Sequence, residues 1–281
     1  MLLAIDVGNT NVSFGLFAGD DHRLLHTWRI ATDRRRTEDE YEVILHQLFQ
    51  RHRIDPGDVD EVAMGTVVPP VRDTLVGVSR NLFRCEPWVL DPAELRAGIT
   101  LRVDYPSEVG ADRIAAGMGA LRRYGGPVIV IDFGTATTFD CVTAEGEYVG
   151  GAIAPGVEIS AEALFVRTAK LPRVELTPPP RAIGRNTNHS LRSGLIFGYV
   201  AMVEGLIERM TRELGGPPVT VVGTGGLCPT IARHTEAIQH VVPTLVLEGL
   251  QALYRLHRPR AAAPSAAPAD GGRLASPKGC A

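Results

Sequence analysis

The chain has 281 residues, of which 44% are hydrophobic and 22% charged, with a formal net charge of −3. That is enough for one large domain or two medium ones of ordinary globular composition, and the slightly acidic balance excludes a global positive field that would recruit nucleic acid or anionic membrane. Cys85, Cys141, Cys228 and Cys280 are far apart with no Cys-x-x-Cys pair, so neither a disulfide framework nor a structural zinc site is expected.

The opening MLLAIDVGNT has no basic leader before a long apolar segment, so no signal peptide is expected, and no later run reaches the roughly 20 apolar residues of a membrane span. A cytoplasmic enzyme is the simplest background. LLAIDVGNTNVSFGLF at 2–17 and VIVIDFGTATTFD at 128–140 share one organisation. In each, an apolar run ends in Asp-x-Gly, threonine follows, and strand-like sequence resumes, so each reads as a strand, a tight turn and a returning strand. Gly8 and Gly134 let backbone bend closely around a ligand. Turn amides and the hydroxyls of Thr10, Thr135, Thr137 and Thr138 suit phosphate oxygens, while Asp6 and Asp132 suit a cation or its bound water. One such turn is ordinary hairpin chemistry; two point to a nucleotide clamped between related lobes.

Residues 22–30 read as a third strand. Thr37 and Glu40 have capping-box spacing before a helix striped by Tyr41, Ile44, Leu45 and Leu48, and Arg34, Arg35 and Arg36 read as a solvated loop. A strand at 61–68, a helix from Pro69-Pro70 to about 83 and a short strand at 87–90 complete an alternating α/β lobe closing near 105. In YPSEVGADRIAAGMGALRRYG at 105–125, Ile114, Met118 and Leu121 recur at helical spacing, which places Gly110, Ala111 and Asp112 at the helix start. Asp112 there is either a helix cap or a carboxylate beside a ligand-sized gap.

The second lobe continues from its hairpin into 147–158, with a turn into a helix at Pro155-Gly156. Residues 166–186, rich in Pro and Arg, read as an extended excursion that can cross a cleft or subunit boundary. A helix from about Thr187 to Leu214 follows, in which Gly194, Gly198 and Gly205 suggest close helix packing. The strand 219–226 delivers Gly225-Gly226, either bare backbone under a nucleoside or a plain strand-to-helix turn. An amphipathic helix covers 245–258, and the Ala/Pro/Gly-rich stretch 259–281 reads as a disordered tail. The eight histidines lie singly, and Glu158, Glu162 and Glu204 receive no role.

Paired phosphate hairpins beside a carboxylate describe phosphoryl transfer, and the absence of Gly-x-x-x-x-Gly-Lys-Ser/Thr means that the usual triphosphate loop is not the grip. DVGNTNVS (6–13), YP (105–106), GADR (110–113), DFGTATTFD (132–140), GGAIAPG (150–156), GRNT (184–187), TGGL (224–227) and LEGL (247–250) together resemble the type III pantothenate kinases, in order over about residues 1–258. The resemblance implies an α/β protein of two related actin-like (ribonuclease H-like) lobes, each a mixed sheet flanked by helices, with a nucleotide cleft between them, at 1–105 and 106–258. It implies a homodimer that phosphorylates pantothenate with ATP at the first step of coenzyme A synthesis, using Mg2+ and a monovalent cation, K+ or NH4+. Carried onto this sequence, Asp6, Val7, Gly8, Asn9, Thr10, Asn11, Val12, Ser13 and Thr135 would bind ATP, with Asp6 near magnesium and Asp132 on the monovalent cation. Asp112 would be the general base. Tyr105, Gly110, Ala111, Asp112 and Arg113 would line the pantothenate site, with Arg113 on the substrate carboxylate, and Thr187 would close that site from the neighbouring subunit. Leu191-Arg192 and Cys228 depart from the family pattern outside these groups. A sugar or acetate kinase, a phosphoanhydride phosphatase, or a non-catalytic nucleotide-dependent regulator on the same fold are the alternatives; the single Asp and single Arg of GADR suit one hydroxyl and one carboxylate better than a sugar.

Overall fold

In a computed structural model, which describes residues 1–19, 22–216 and 218–258, the first apolar run forms β1 (Leu2–Val7) and returns antiparallel as β2 (Asn11–Phe17), with β3 (Leu24–Ala31) beyond it. The helix α1 (Glu38–Arg51) starts in the expected capping box: the Glu40 amide donates to the Thr37 hydroxyl, and the Thr37 amide donates to the Glu40 carboxylate at 2.8 Å. Next come β4 (Glu61–Thr66), parallel to β1, then α2 (Pro69–Leu82) and β5 (Trp88–Val89), giving the sheet order β3-β2-β1-β4-β5.

The pattern then repeats. After β6 (Thr100–Leu101) and α3 (Ala111–Tyr124), a second antiparallel meander runs through β7 (Val128–Phe133), β8 (Ala136–Val142) and β9 (Glu147–Pro155). The helices α4 (Val157–Arg167) and α5 (Thr187–Glu213) precede β10 (Thr220–Thr224), α6 (Cys228–Ala232), β11 (His240–Val241) and the closing α7 (Leu245–His257). The second sheet is ordered β11-β10-β7-β8-β9-β6, with β10 and β11 taking the places of β4 and β5. Its antiparallel meander followed by parallel strands is the topology of the first sheet.

Strand parity sorts the core into layers. Leu3, Ile5, Phe14 and Leu16 face α1 and α2, whereas Ile129, Ile131 and Phe139 face α5 and α6. The alternate residues Leu2, Ala4, Val128 and Val130 turn inward, where both sheets bury them against α3 and α7. These two central helices pack backbone to backbone. A Cβ placed on Gly249 would strike the Ala115 carbonyl, and one on Gly119 would lie 2.5 Å from the Leu245 carbonyl oxygen.

The lobe boundary at 105 needs correction on both sides. The short strand β6 already belongs to the second sheet, paired in parallel with β9, and α7, expected in the second lobe, packs on β1 and β4 of the first as well as on α3. Sequence order misassigns both because each is placed by a long-range contact. The three glycines of α5 also differ from expectation: a Cβ on Gly194, Gly198 or Gly205 would meet nothing within 4 Å, so among the described residues no element packs against them. The excursion at 168–186 has neither helix nor strand and is tied to α5 by Arg192, which donates to the carbonyls of Thr177 (2.7 Å) and Pro178 (2.9 Å). Arg192, one of the departures from the family pattern, therefore has a structural use. Among the described residues α5 alone is long and apolar enough to cross a bilayer by length and composition, but Leu195, Ile196, Val200, Val203 and Ile207 are buried in the protein. The tail expected at 259–281, with Cys280, lies outside the described residues.

Replacing Gly249 by Ala forces a methyl group onto the Ala115 carbonyl, and overpacking of this kind costs about 1–3 kcal/mol. Urea unfolding of Gly249→Ala should show a loss in that range, while wild-type stability would mean that the α3–α7 contact is looser than described.

Candidate active site

Parity also places the site. On β1 the inward column Leu2, Ala4 ends in Asp6, and on β7 the column Val128, Val130 ends in Asp132. Both carboxylates therefore emerge where the sheets stop, above the central helices. The helix α3 begins at that level, and its second residue is Asp112. Gly110 is the N-cap and offers no side chain, so Asp112 is not the cap; its carboxylate accepts the Arg113 amide at 2.9 Å and lines the cleft.

The cleft has a volume of about 730 Å³ and brings together Asp6, Gly8, Asn9, Thr10, Asn11, Ser13, Asp112, Asp132 and Thr135 from the sequence reading. The two turns close on each other, with the Thr10 and Thr135 hydroxyls 2.8 Å apart. They are not identical: Asp132 pairs with Thr138, six residues on, where Asp6 pairs with Ser13, seven on, so the second turn is one residue shorter. Val7 and Val12 are buried in the first core, which leaves only their backbone for a ligand. Thr137, one of the hydroxyls assigned to phosphate, is corrected: it shares the strand face of Phe139 and is fully buried, while Thr138 lines the cleft.

The remaining substrate candidates do not line this cleft. Tyr105 is 68% exposed, Thr187 is exposed at the start of α5, and Gly110 and Ala111 lie behind Asp112 at the helix start. Arg113 is held by Asp140: its Nε donates to the carboxylate at 2.7 Å, and Tyr148 donates to the same oxygen at 2.6 Å. Burial raises the Asp140 carboxyl against the pull of Arg113, and burial together with Asp140 raises the Tyr148 hydroxyl well above its ordinary value.

The cleft also contains residues without a role in the sequence reading: Arg29 from β3, Thr27 near it, Glu158 from α4 and Pro243-Thr244 before α7. Gly225-Gly226 lines it as well. Gly225 has φ +88°, and a Cβ there would strike the Asp132 carboxylate and lie 2.6 Å from the Phe133 nitrogen, so the turn admits only glycine.

The electrostatics are dominated by negative charge. Burial, then Asp112 and Asp132, push the Asp6 carboxyl well above the usual carboxylate range, with Arg29 opposing. Burial, then Asp112 and Asp140, raise Asp132 to about 7, again against Arg29. Burial raises Asp112, opposed by the amide and charge of Arg113. No three His, Cys, Asp or Glu converge on one metal-sized position among the described residues. Oxygen-preferring cations held by one or two carboxylates and ligand phosphates nevertheless fit these donors, which lack enough counter-charge of their own.

A family model described as type III pantothenate kinase matches residues 2–209. The type III pantothenate kinase of Roseiflexus sp. (strain RS-1) is 53% identical over 258 residues, 92% of this chain and 100% of that protein. That of Myxococcus xanthus (strain DK1622) is 50% identical over 254 residues, 90% and 98% of the two chains. Among solved structures, a Campylobacter jejuni protein described within the Baf family of transcriptional activators superposes with a TM-score of 0.57 at 17% identity, over 90% of this chain and 98% of that one. A Listeria monocytogenes protein described as an N-acetylmannosamine kinase superposes with a TM-score of 0.51 at 9% identity, over 91% and 98%. At such identities the structural likeness establishes a shared fold and nothing more.

Folded Asp132 keeps its proton up to about 7, whereas the unfolded residue releases it near its ordinary value of 3.8. Across that window the folded chain binds the extra proton, so Asp132 makes stability fall as pH rises, and the penalty is complete above 7. Asp132→Asn should therefore stabilise the cation-free protein more at pH 8 than at pH 5, by roughly 1–3 kcal/mol. Urea unfolding at both pH values checks this; an equal effect at both would remove the electrostatic reading of Asp132.

Proposed function

The chain belongs to the type III pantothenate kinase family, and we infer from the site that it transfers the terminal phosphoryl group of ATP to the hydroxyl of pantothenate with Asp112 as proton acceptor. The product is 4'-phosphopantothenate, and the family's reaction is the entry step of coenzyme A synthesis. One observation carries the assignment of roles: Asp112 stands at the open start of α3, between two phosphate-type turns and facing Asp6 and Asp132.

In such a transfer the protein mainly positions reactants and stabilises charge. The amides and hydroxyls of residues 8–13 and of Thr135 hold the phosphates in line with the acceptor. An ordinary aspartate is a weak base, but burial raises Asp112, so its carboxylate accepts the hydroxyl proton more readily than an exposed one would. Asp6 would hold Mg2+ and Asp132 a monovalent cation, K+ or NH4+, which supply counter-charge for the phosphates. Tyr105, Gly110, Ala111 and Arg113 would bind the pantothenate side. The hydrogen bond from Arg113 to Asp140 runs through Nε, which leaves its terminal nitrogens for the substrate carboxylate.

A second copy of the chain completes this reading. The glycines of α5, the helix that begins at Thr187, are open, and Ile183 (84%) and the α4 residues Leu164, Phe165 and Val166 are exposed, so apolar groups are left for a second chain to cover. A homodimer built there covers them and brings Thr187 to the partner's pantothenate. Three thiols outside any disulfide, at Cys85, Cys141 and Cys228, agree with a cytoplasmic setting.

Purified protein with ATP and magnesium should release ADP only with pantothenate, faster in potassium than in sodium, and Asp112→Asn should lower kcat by about 100-fold or more while ATP still binds. An unchanged kcat in the variant would sink the base assignment, and turnover indifferent to pantothenate would sink the acceptor. For the dimer, sedimentation should give twice the chain mass, and Thr187→Ala should raise KM for pantothenate without changing that for ATP. A monomeric enzyme with full activity would refute the shared site.

A further inference from the structure

On the edge strand β3, Trp28 is buried against α1, so Thr27 and Arg29 point to the opposite face and line the cleft. Register puts Arg29 in a defined place. Asp6 pairs with Ser13, and Ser13 pairs with Arg29, so the three occupy one row across the sheet on its inward face. The corresponding row of the second lobe runs Asp132, Thr138, Ile153. The repeat that reproduces the carboxylate and the central hydroxyl therefore does not reproduce the arginine.

Arg29 is the one Lys or Arg among the described residues that line the cleft, against the carboxylates Asp6, Asp112, Asp132 and Glu158. It is exposed, and its side chain makes no hydrogen bond or ion pair with a described residue, so its five guanidinium donors are unspent. It nevertheless acts on both hairpin carboxylates through its charge. It also reaches across the cleft: a Cβ placed on Gly226 would lie 4.0 Å from Arg29 Nη1, so the guanidinium extends from the first lobe to the glycine turn of the second.

We propose that Arg29 is the phosphate-gripping cation of the cleft, its guanidinium fork donating to nonbridging oxygens of the nucleotide and joining the two lobes through them. The proposal rests on the kinase reading above only in taking the ligand to be a nucleoside polyphosphate. A chain without the lysine of the usual triphosphate loop needs another fixed cation where four carboxylates face a polyanion, and a planar fork suits phosphate geometry.

The test is calorimetric titration of the full chain with Mg-ATP and, separately, adenosine, for wild type, Arg29→Ala and Arg29→Lys. Arg29→Ala should weaken Mg-ATP roughly ten- to hundredfold, the usual worth of charge-assisted hydrogen bonds, and leave adenosine unchanged. Arg29→Lys should recover part of the loss, because charge returns without the fork. Mg-ATP affinity equal to wild type in Arg29→Ala would overturn the proposal. So would an equal loss for ATP and adenosine, since that marks a residue that only shapes the pocket. No acceptor is present in these titrations, so pantothenate dependence of wild-type turnover stands or falls separately.

Discussion

The close contact between α3 and α7 is the constraint on which the rest of the molecule depends. With only hydrogens at Gly119 and Gly249, the two helices approach until backbone meets backbone, and the layer they form is thin enough for both sheets to share. Each sheet then buries its inward column on the same helix pair. Because α7 closes the chain and lies on β1 and β4, the last helical segment holds the first sheet to the second. From this arrangement the site follows without further design: two columns of even-numbered residues must end at one level, and α3 must begin there.

That convergence is electrostatically unfavourable. Asp6, Asp112 and Asp132 are brought together in a partly desolvated cleft where each raises or is raised by its surroundings, and among the described residues that line it Arg29 is the one guanidinium. Structural carboxylates are normally paired or fully solvated; a group of them left short of counter-charge marks a place where binding, and not folding, completes the balance. Asp140 is the contrasting case. It is more deeply buried than the other three, yet Arg113, Tyr148 and Thr138 satisfy it, so its work is to fix Arg113 beside Asp112.

Much of this was legible in the sequence because it is local. The two hairpins, the capping box at Thr37 and Glu40, the helix start at Gly110 and the strand before Gly225 all follow from spacing within a dozen residues. Resemblance to the family added the roles of Asp112 and Thr187. What stayed hidden depends on pairing across distance. Nothing near Thr100 announces that it will join a strand nearly fifty residues later, and the amphipathic pattern of α7 is the same whichever lobe it covers. The glycines of α5 suggested helix packing, but packing needs a partner, which this chain does not provide. Arg29 escaped notice for the same reason: its alternation with Trp28 is visible, but the row that sets it beside Asp6 exists only once β1, β2 and β3 are in register.

The repeat is therefore symmetric in backbone and asymmetric in charge. Both lobes present Asp and hydroxyl in the first two places of the row, as strand register requires once the hairpin is duplicated. In the third place the first lobe carries Arg29 and the second carries Ile153. Ile153 is exposed on the sheet face opposite α5, while Arg29 is on an edge strand with its side-chain donors free. A pocket between two identical walls would give a polyanion no preferred orientation. Here the first wall carries a guanidinium that the second lacks, so the difference at this one row gives the cleft a polarity.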